Sequence, residues 1–283
     1  MLRTPTARVL DERDERAVTR LLAADPVAAC VLTGRVETYG TGAASLGAPL
    51  WGFGSGSSLE AVCLAGANLI PFARPGVEHE AATAFAERAR RAGRRCSTIV
   101  GPAAAVLPLW ELLAPTWGPA REVRARQPLL AMQGPPAVPV EPRVRPVRLE
   151  ELETLLPAAV AMFTEEVGVS PTRADGGAAY RARVADLVRA GLSLAWIQDG
   201  EVLFKADVGA VSRAACQLQG VWVAPRLRGQ GIGQRGTAAV VEYARTAIAP
   251  IVSLYVNDYN TAARAAYDRV GFRQVGTYAS VLF

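Results

Sequence analysis

The chain has one lysine, Lys205, among its 31 basic residues, and one histidine, His79, in 283 residues. The excess of arginine, with heavy use of alanine, glycine and proline, is the codon signature of a GC-rich genome and carries no functional information. A single histidine rules out a Ser-His or Cys-His nucleophile system other than one built on His79 itself. Cys30, Cys63, Cys96 and Cys216 stand far apart with no CxxC pair. That spacing excludes an ordinary zinc site, so no metal is expected. The cysteines read as buried thiols in a reducing, cytoplasmic setting.

An apolar h-region is also lacking. Met1 to Arg20 is crowded with charge, so no secretory leader is expected. Charge itself is scarce between Glu37 and Arg74, where Glu60 is alone. Gly52, Gly54, Ser55, Gly56, Ser57, Ser58, Asn68 and Pro71 interrupt that stretch, which favours short strands around a turn at residues 54–58 over a membrane span. Net charge is +5 with a pI near 9.3, yet the basic residues are scattered. The densest run, Arg88 to Arg95, reads as the solvated end of a helix. Neither nucleic acid nor a membrane is expected as a partner.

What is present is a chain 51% hydrophobic, enough for one large domain or two ordinary ones. The segment Gln133–Pro146 holds five prolines without periodicity and is the best linker. After it, patterning predicts a strand near 143–149, helices over 150–163 and 176–190, and strands near 192–198, 201–211 and 216–224. A helix to about 247, a strand at 250–256, a helix at 260–270 and a last strand to Phe283 complete the half. The first half repeats this order faintly, with a helix near 78–92, a strand at 96–100 and another helix, and reads as a diverged duplicate. Its equivalent of the glycine stretch is Ala73-Arg74-Pro75-Gly76-Val77.

The most informative stretch is Arg226 to Gly236, RLRGQGIGQRG, directly after the apolar run Gly220–Ala224. A strand that breaks into glycines and resumes as a helix brings backbone N–H groups close to an anion. Residues Gly231–Gly236 satisfy GxGxxG, and Asp258 follows 22 positions later, as in a dinucleotide fingerprint. Only 47 residues remain after Gly236, too few for the further βα units that such a fold needs.

A second reading uses Arg228 as well. Arg228-x-x-Gly231-x-Gly233 after Pro225, followed by Asn260-x-x-Ala263-x-x-x-Tyr267-x-x-x-Gly271-Phe272, resembles the GNAT N-acetyltransferase superfamily across residues 143–283. The whole chain resembles two-domain actinobacterial GNAT proteins with a diverged amino-terminal half. The resemblance implies an α/β (α+β) fold of tandem GNAT-like domains, each a mixed, mostly antiparallel sheet flanked by helices. It divides the chain into 1–135, without a cofactor motif, a linker at 136–145, and the GNAT domain at 143–283. That domain ends one strand short of the usual sheet, so its edge is expected to be covered by the linker or the first half.

The implied reaction is acetyl transfer from acetyl-CoA, as co-substrate, to an amine by direct attack in a ternary complex. By the resemblance, Arg228, Gly229, Gln230, Gly231, Ile232, Gly233, Gln234 and Arg235 hold the pyrophosphate. Backbone groups of Val221, Trp222 and Val223 pair with pantetheine, Asn260 bonds the same arm or simply caps its helix, and Tyr267 protonates the departing thiolate or simply packs. The family's usual base is a carboxylate on the strand before the loop. Here that strand reads Cys216-Gln217-Leu218-Gln219-Gly220 and has none. A relayed water, or Glu165 or Glu166, would substitute, with Gln219 as a further substrate contact. The missing base leaves a non-catalytic acyl-CoA sensor as the alternative.

Overall fold

The computed structural model describes residues 6–55, 58–173 and 176–283. The chain divides into two compact units: residues 1–129, 255–258 and 274–283 form one, and residues 130–254 and 259–273 the other.

Unit 1 contains, in order, β1 (Arg8–Val9), α1 (Glu15–Leu22), α2 (Cys30–Tyr39), α3 (Ala43–Leu46), β2 (Leu50–Ser55), β3 (Ser58–Ala65) and β4 (Asn68–Ala73). It continues with α4 (Glu78–Ala92), β5 (Thr98–Pro102), α5 (Ala103–Trp117) and most of β6 (Glu122–Gln133). Strands β1 to β4 pair antiparallel in sequence order, and β4 pairs β5 in parallel. Side chains alternate across β3 as the two-residue repeat of a strand requires. Ala61 and Cys63 enter a core with Phe85, Leu109 and Leu113 of α4 and α5, while Val62 and Leu64 enter one with Val18, Leu22 and Leu32. The charge-poor segment is thus strands, as expected; Gly56 and Ser57 of its turn lie outside the described residues. Among the described residues no helix is long and apolar enough to cross a membrane.

The arginine run at the end of α4 is exposed from Arg90 to Arg95, as expected of a solvated helix end, and its side chains also reach neighbouring groups. Arg88 lies over the Trp51 ring at 5.8 Å and donates to Ala7 O at 3.1 Å, Arg90 donates to Leu112 O at 2.7 Å, and Arg94 covers Phe283 at 4.6 Å. These contacts are made from a face that stays solvated.

Unit 2 carries β7 (Arg145–Pro146), α6 (Leu152–Val167), α7 (Ala178–Arg189), β8 (Ser193–Gln198), β9 (Glu201–Val211) and β10 (Ala215–Val223). Then come α8 (Ile232–Ala247), β11 (Ile251–Tyr255) and α9 (Thr261–Val270). Pairing runs antiparallel from β7 through β10, and β10 pairs β11 in parallel. Leu155, Ala159, Val184 and Val188 of α6 and α7 pack on Ala195 and Val202. On the other face Phe204 fills the space left by Gly236 of α8, where a Cβ would approach its ring carbons at 2.6 Å. The strand expected over 143–149 is only two residues long, because Leu149 already opens a 3-10 turn. The proline-rich segment is docked rather than free: Ala137 N–H donates to Val270 O at 2.8 Å, Glu141 N–H to Arg235 O at 3.0 Å, and Arg143 stacks 3.7 Å over Trp196.

The last strand, β12 (Arg273–Leu282), lies in unit 1 from Gln274 onward, pairing antiparallel with β5 from Tyr278↔Pro102 to Leu282↔Thr98. Conversely Leu130–Gln133, the tail of β6, belongs to unit 2. Unit 1 is therefore completed by a strand from the second half of the sequence. Deleting Gln274–Phe283 is expected to strip hydrogen-exchange protection from β4 and β5 while β8 to β10 keep theirs.

A second outcome concerns acid. Arg145 pairs with Glu151 at 2.7 and 2.8 Å, and the same carboxylate accepts Arg148 N–H at 3.0 Å, closing the turn that opens α6. Arg145 holds the Glu151 carboxyl down from 4.5 to about 2. A depressed carboxyl stabilises the fold in full above its unfolded value, and that contribution is lost as pH falls from 4.5 toward about 2. Denaturant titrations should therefore show Glu151→Gln destabilised at neutral pH, with the gap to wild type narrowing across that window.

Candidate functional site

The site is built by β10. Its pairing with β11 covers only Ala215↔Ile251, Cys216↔Val252 and Gln217↔Ser253, whereas its pairing with β9 continues to Val223↔Phe204. From Leu218 to Val223, including Val221 and Trp222, the edge that would face β11 is unpaired with it, leaving a row of backbone donors and acceptors. A bulge between Gln219 and Trp222 marks the divergence, and Gly220 takes φ +59 there. A bulge adds a residue and sharpens the local twist, which turns the strand away from a parallel neighbour. A Cβ on Gly220 would meet Met162 Cε at 2.8 Å and both Asp207 Oδ2 and Lys205 Nζ at 3.2 Å.

Beyond Val223 the chain makes a 3-10 turn at Pro225–Leu227, and Arg228 is extended. Gly229 (φ +78) and Gly231 (φ +76) are left-handed, and α8 begins at Ile232. Left-handed residues set next to right-handed ones turn successive N–H groups into one concavity, and the first N–H groups of a helix have no partner within it. The result is an anion cradle at the positive end of α8. The glycines divide in role. Gly229 and Gly231 supply backbone conformation and Gly236 supplies packing. Gly233 is helical, and a Cβ there would make only ordinary contact with Val223 Cγ2 at 3.5 Å.

Side chains around the cradle have partners. Arg228 Nε donates to Val223 O at 3.1 Å, and its NH2 reaches both oxygens of Glu165 at 2.8 and 3.1 Å. Trp222 Nε1 donates to the same carboxylate at 3.2 Å. Gln230 donates to Arg226 O at 3.2 Å, and Arg226 pairs with Glu201. The ends of Gln234 and Arg235 lie beside Gly231. Glu165, expected at the acceptor, thus ties the end of α6 to Arg228 and Trp222.

Asn260 caps α9: its Oδ1 accepts Ala263 N–H at 3.1 Å, which leaves the amide nitrogen to donate elsewhere. Two turns on, Tyr267 is 8% exposed and meets Phe272 edge-to-face at 5.9 Å. Among the described residues its hydroxyl forms no hydrogen bond. Burial, and then the charge of Glu166, push this phenol well above the ordinary tyrosine range. Glu166 also bears on Tyr180, whose hydroxyl donates to Ala159 O at 2.9 Å and which burial raises to about 12. Of the two acids, Glu166 is the one whose charge bears on Tyr267. The side chain of Gln219 lies over Gly209, where a Cβ would sit 2.1 Å from its amide carbon. Cys216 is fully buried, its thiol raised to about 12 by desolvation, and is not a nucleophile at neutral pH.

Sequence reasoning missed a buried polar cluster beneath the bulge. Lys205 is 1% exposed, with its ammonium 2.5 Å from Asp207 Oδ2, and Ser193 Oγ donates to Asp207 Oδ1 at 2.7 Å. The available signal was Lys-Ala-Asp inside an otherwise apolar strand, placing both charges on one face. Among the described residues no cluster of metal-ligating side chains occurs.

The family model described as Acetyltransferase (GNAT) family matches residues 176–272, and one described as a Domain of unknown function (DUF4081) matches residues 48–155. No curated protein matches the chain. Among solved structures, a Drosophila protein aligns at TM-score 0.65 and 13% identity, over 99% of both chains. An acetyltransferase from the GNAT family of Colwellia psychrerythraea aligns at TM-score 0.54 and 14% identity, over 98% of this chain and 99% of that one. A tandem GNAT protein from the clavulanic acid biosynthesis pathway aligns at 0.52 and 16%, over 98% of each. At these identities the likeness is one of fold, and it spans both halves. Residues 176–272, which contain the glycine cradle and Tyr267, are thus a GNAT-family domain in a chain with the tandem GNAT fold.

Proposed function

We propose that this protein transfers an acetyl group from acetyl-CoA to the amine of a small molecule, peptide or protein, by direct attack in a ternary complex. The observation that carries the reading is the divergence of β10 from β11 immediately before an anion cradle. An unpaired strand edge suits the two amides of a pantetheine arm, and a helix N-terminus suits its diphosphate. Both lie on consecutive residues, in the order that one extended ligand requires.

Gly229 to Arg235 hold the diphosphate through backbone N–H groups, and Val221 to Val223 pair with the arm. Asn260 adds its free amide. Tyr267, whose phenol burial holds above the ordinary tyrosine range, is the acid that delivers its proton to the departing thiolate. Glu166, whose charge bears on that phenol, takes the place of the absent strand carboxylate. It attracts the cationic acceptor and receives its proton.

The test is free-thiol release from acetyl-CoA across a panel of amines, alongside calorimetric CoA binding. Turnover supports the enzyme; binding without thiol release turns the reading to a sensor.

Two outcomes separate the residues. Gly231→Val should weaken CoA binding about tenfold or more, since forcing a branched residue to positive φ costs roughly 1–2 kcal/mol and each decade of affinity is worth about 1.4 kcal/mol. Gly233→Ala, helical and unstrained, should bind CoA far better than Gly231→Val. Tyr267→Phe should leave CoA affinity nearly unchanged while kcat falls about 10²–10⁴-fold, or roughly 3–5 kcal/mol of barrier. Turnover within about threefold of wild type, with chemistry rate-limiting, would make Tyr267 a packing residue.

A further inference from the structure

Four arginines, Arg8, Arg13, Arg16 and Arg20, gather at one cavity of unit 1, about 300 Å³ in volume. Three of them follow from the helical repeat. Arg13, in the 3-10 turn that leads into α1, is followed by Arg16, Ala17 and Arg20 at i+3, i+4 and i+7. That spacing sets them in one stripe, with the small alanine at its centre. Across from the stripe, β2 contributes almost no side chain. Trp51 and Phe53 turn into the core under α4 and α5, so Gly52 between them faces α1, and Gly54 adds only backbone. Leu59 of β3 supplies an apolar wall. The strands and α1 thus enclose a space with a cationic rim and a floor of backbone and hydrocarbon.

Charge around this space is unbalanced. Among the described residues that line it Asp14 is the one acid, and Arg8 engages both its oxygens, at 2.5 and 2.7 Å. Arg13 is tied to Asp11 at 2.8 Å. The nearby carboxylates are thereby occupied and do not neutralise the other two arginines. Arg16 and Arg20 have neither an ion pair nor a hydrogen bond among the described residues. They stand one helical turn apart, where like charges repel. We propose that the cavity binds a small phosphorylated molecule, with its phosphate dianion held between Arg16 and Arg20. A phosphomonoester carries a charge of about −1.5 to −2 at neutral pH and three strong acceptor oxygens, whereas a carboxylate has a single charge and two oxygens. Two unpaired guanidinium forks match the phosphate in both charge and geometry. The volume is at the small end of ligand pockets and exceeds what a lone phosphate fills. Ala17 and Leu59 suit an uncharged, sugar-sized body beside it. The site lies wholly in unit 1, shares no residue with the glycine cradle, and needs nothing of the acyl-CoA reading.

The test is calorimetry on the full chain at low ionic strength, where charge recognition is least screened, with inorganic phosphate, ribose 5-phosphate and ribose as probes. The variant is Arg16→Gln/Arg20→Gln, which removes both unpaired cations and costs the fold none of its ion pairs or hydrogen bonds among the described residues. Wild type should bind ribose 5-phosphate saturably and ribose not at all, and the double variant should lose about tenfold or more of that affinity. Without ligand the double variant should melt no lower than wild type, because the repulsion between the two arginines has gone. Tighter binding of ribose 5-phosphate than of inorganic phosphate supports a phosphorylated molecule as the occupant. Equal affinity for the two overturns that occupant in favour of the free ion. No saturable binding of either phosphate, affinity unchanged in the double variant, or ribose bound as tightly as its phosphate overturns the site itself. A lower melting temperature of the empty variant assigns the arginines to the fold and overturns it as well.

Discussion

Unit 2 depends on one strand that keeps one neighbour and loses the other. β10 holds β9 along its whole length and leaves β11 after Gln217. Parting two buried strands exposes polar backbone groups, and such groups are tolerated only where water or a ligand meets them. The divergence thus leaves a stretch of β10 backbone open to water or to a ligand. Gly220 makes the bend, Gly229 and Gly231 bend the chain again within a dozen residues, and α8 points its N-terminus back at the same gap.

Charges near this gap are arranged in layers. On the α6 side, Glu165 is held by Arg228 and Trp222, so the end of α6 and the cradle move together. Beneath the bulge Lys205 and Asp207 neutralise one another in a setting where neither could stand alone. Glu166 influences both Tyr180 and Tyr267, so the aromatic groups on two helices share one carboxylate.

Much of this was legible in the sequence because it depends on local rules. The glycine cradle, the Asn260–Phe272 run and the period-two strands β8 to β10 are set by backbone sterics and burial over short windows. What was not legible depends on partners distant in sequence. No local pattern could place Glu165 on Arg228, 63 positions away, nor tell Gly231 from Gly233, which share a motif but differ in φ. Lys205 was visible as a composition anomaly, yet its burial follows from register with β10. The run Gln133–Pro146 was read correctly as irregular, but its docking on Val270 and Arg235 rests on single backbone hydrogen bonds that composition does not encode. The destination of β12 was equally hidden, since an apolar alternating strand fits any vacant edge.

That destination bears on how the chain is made. Unit 1 receives Gln274–Phe283 as a strand beside β5, with Ala279 and Val281 in its core. These ten residues are translated after the rest of unit 1. The amino-terminal half, although translated first, therefore keeps the edge of β5 open until β12 has been made. Unit 1 thus cannot mature on the amino-terminal half of the sequence alone.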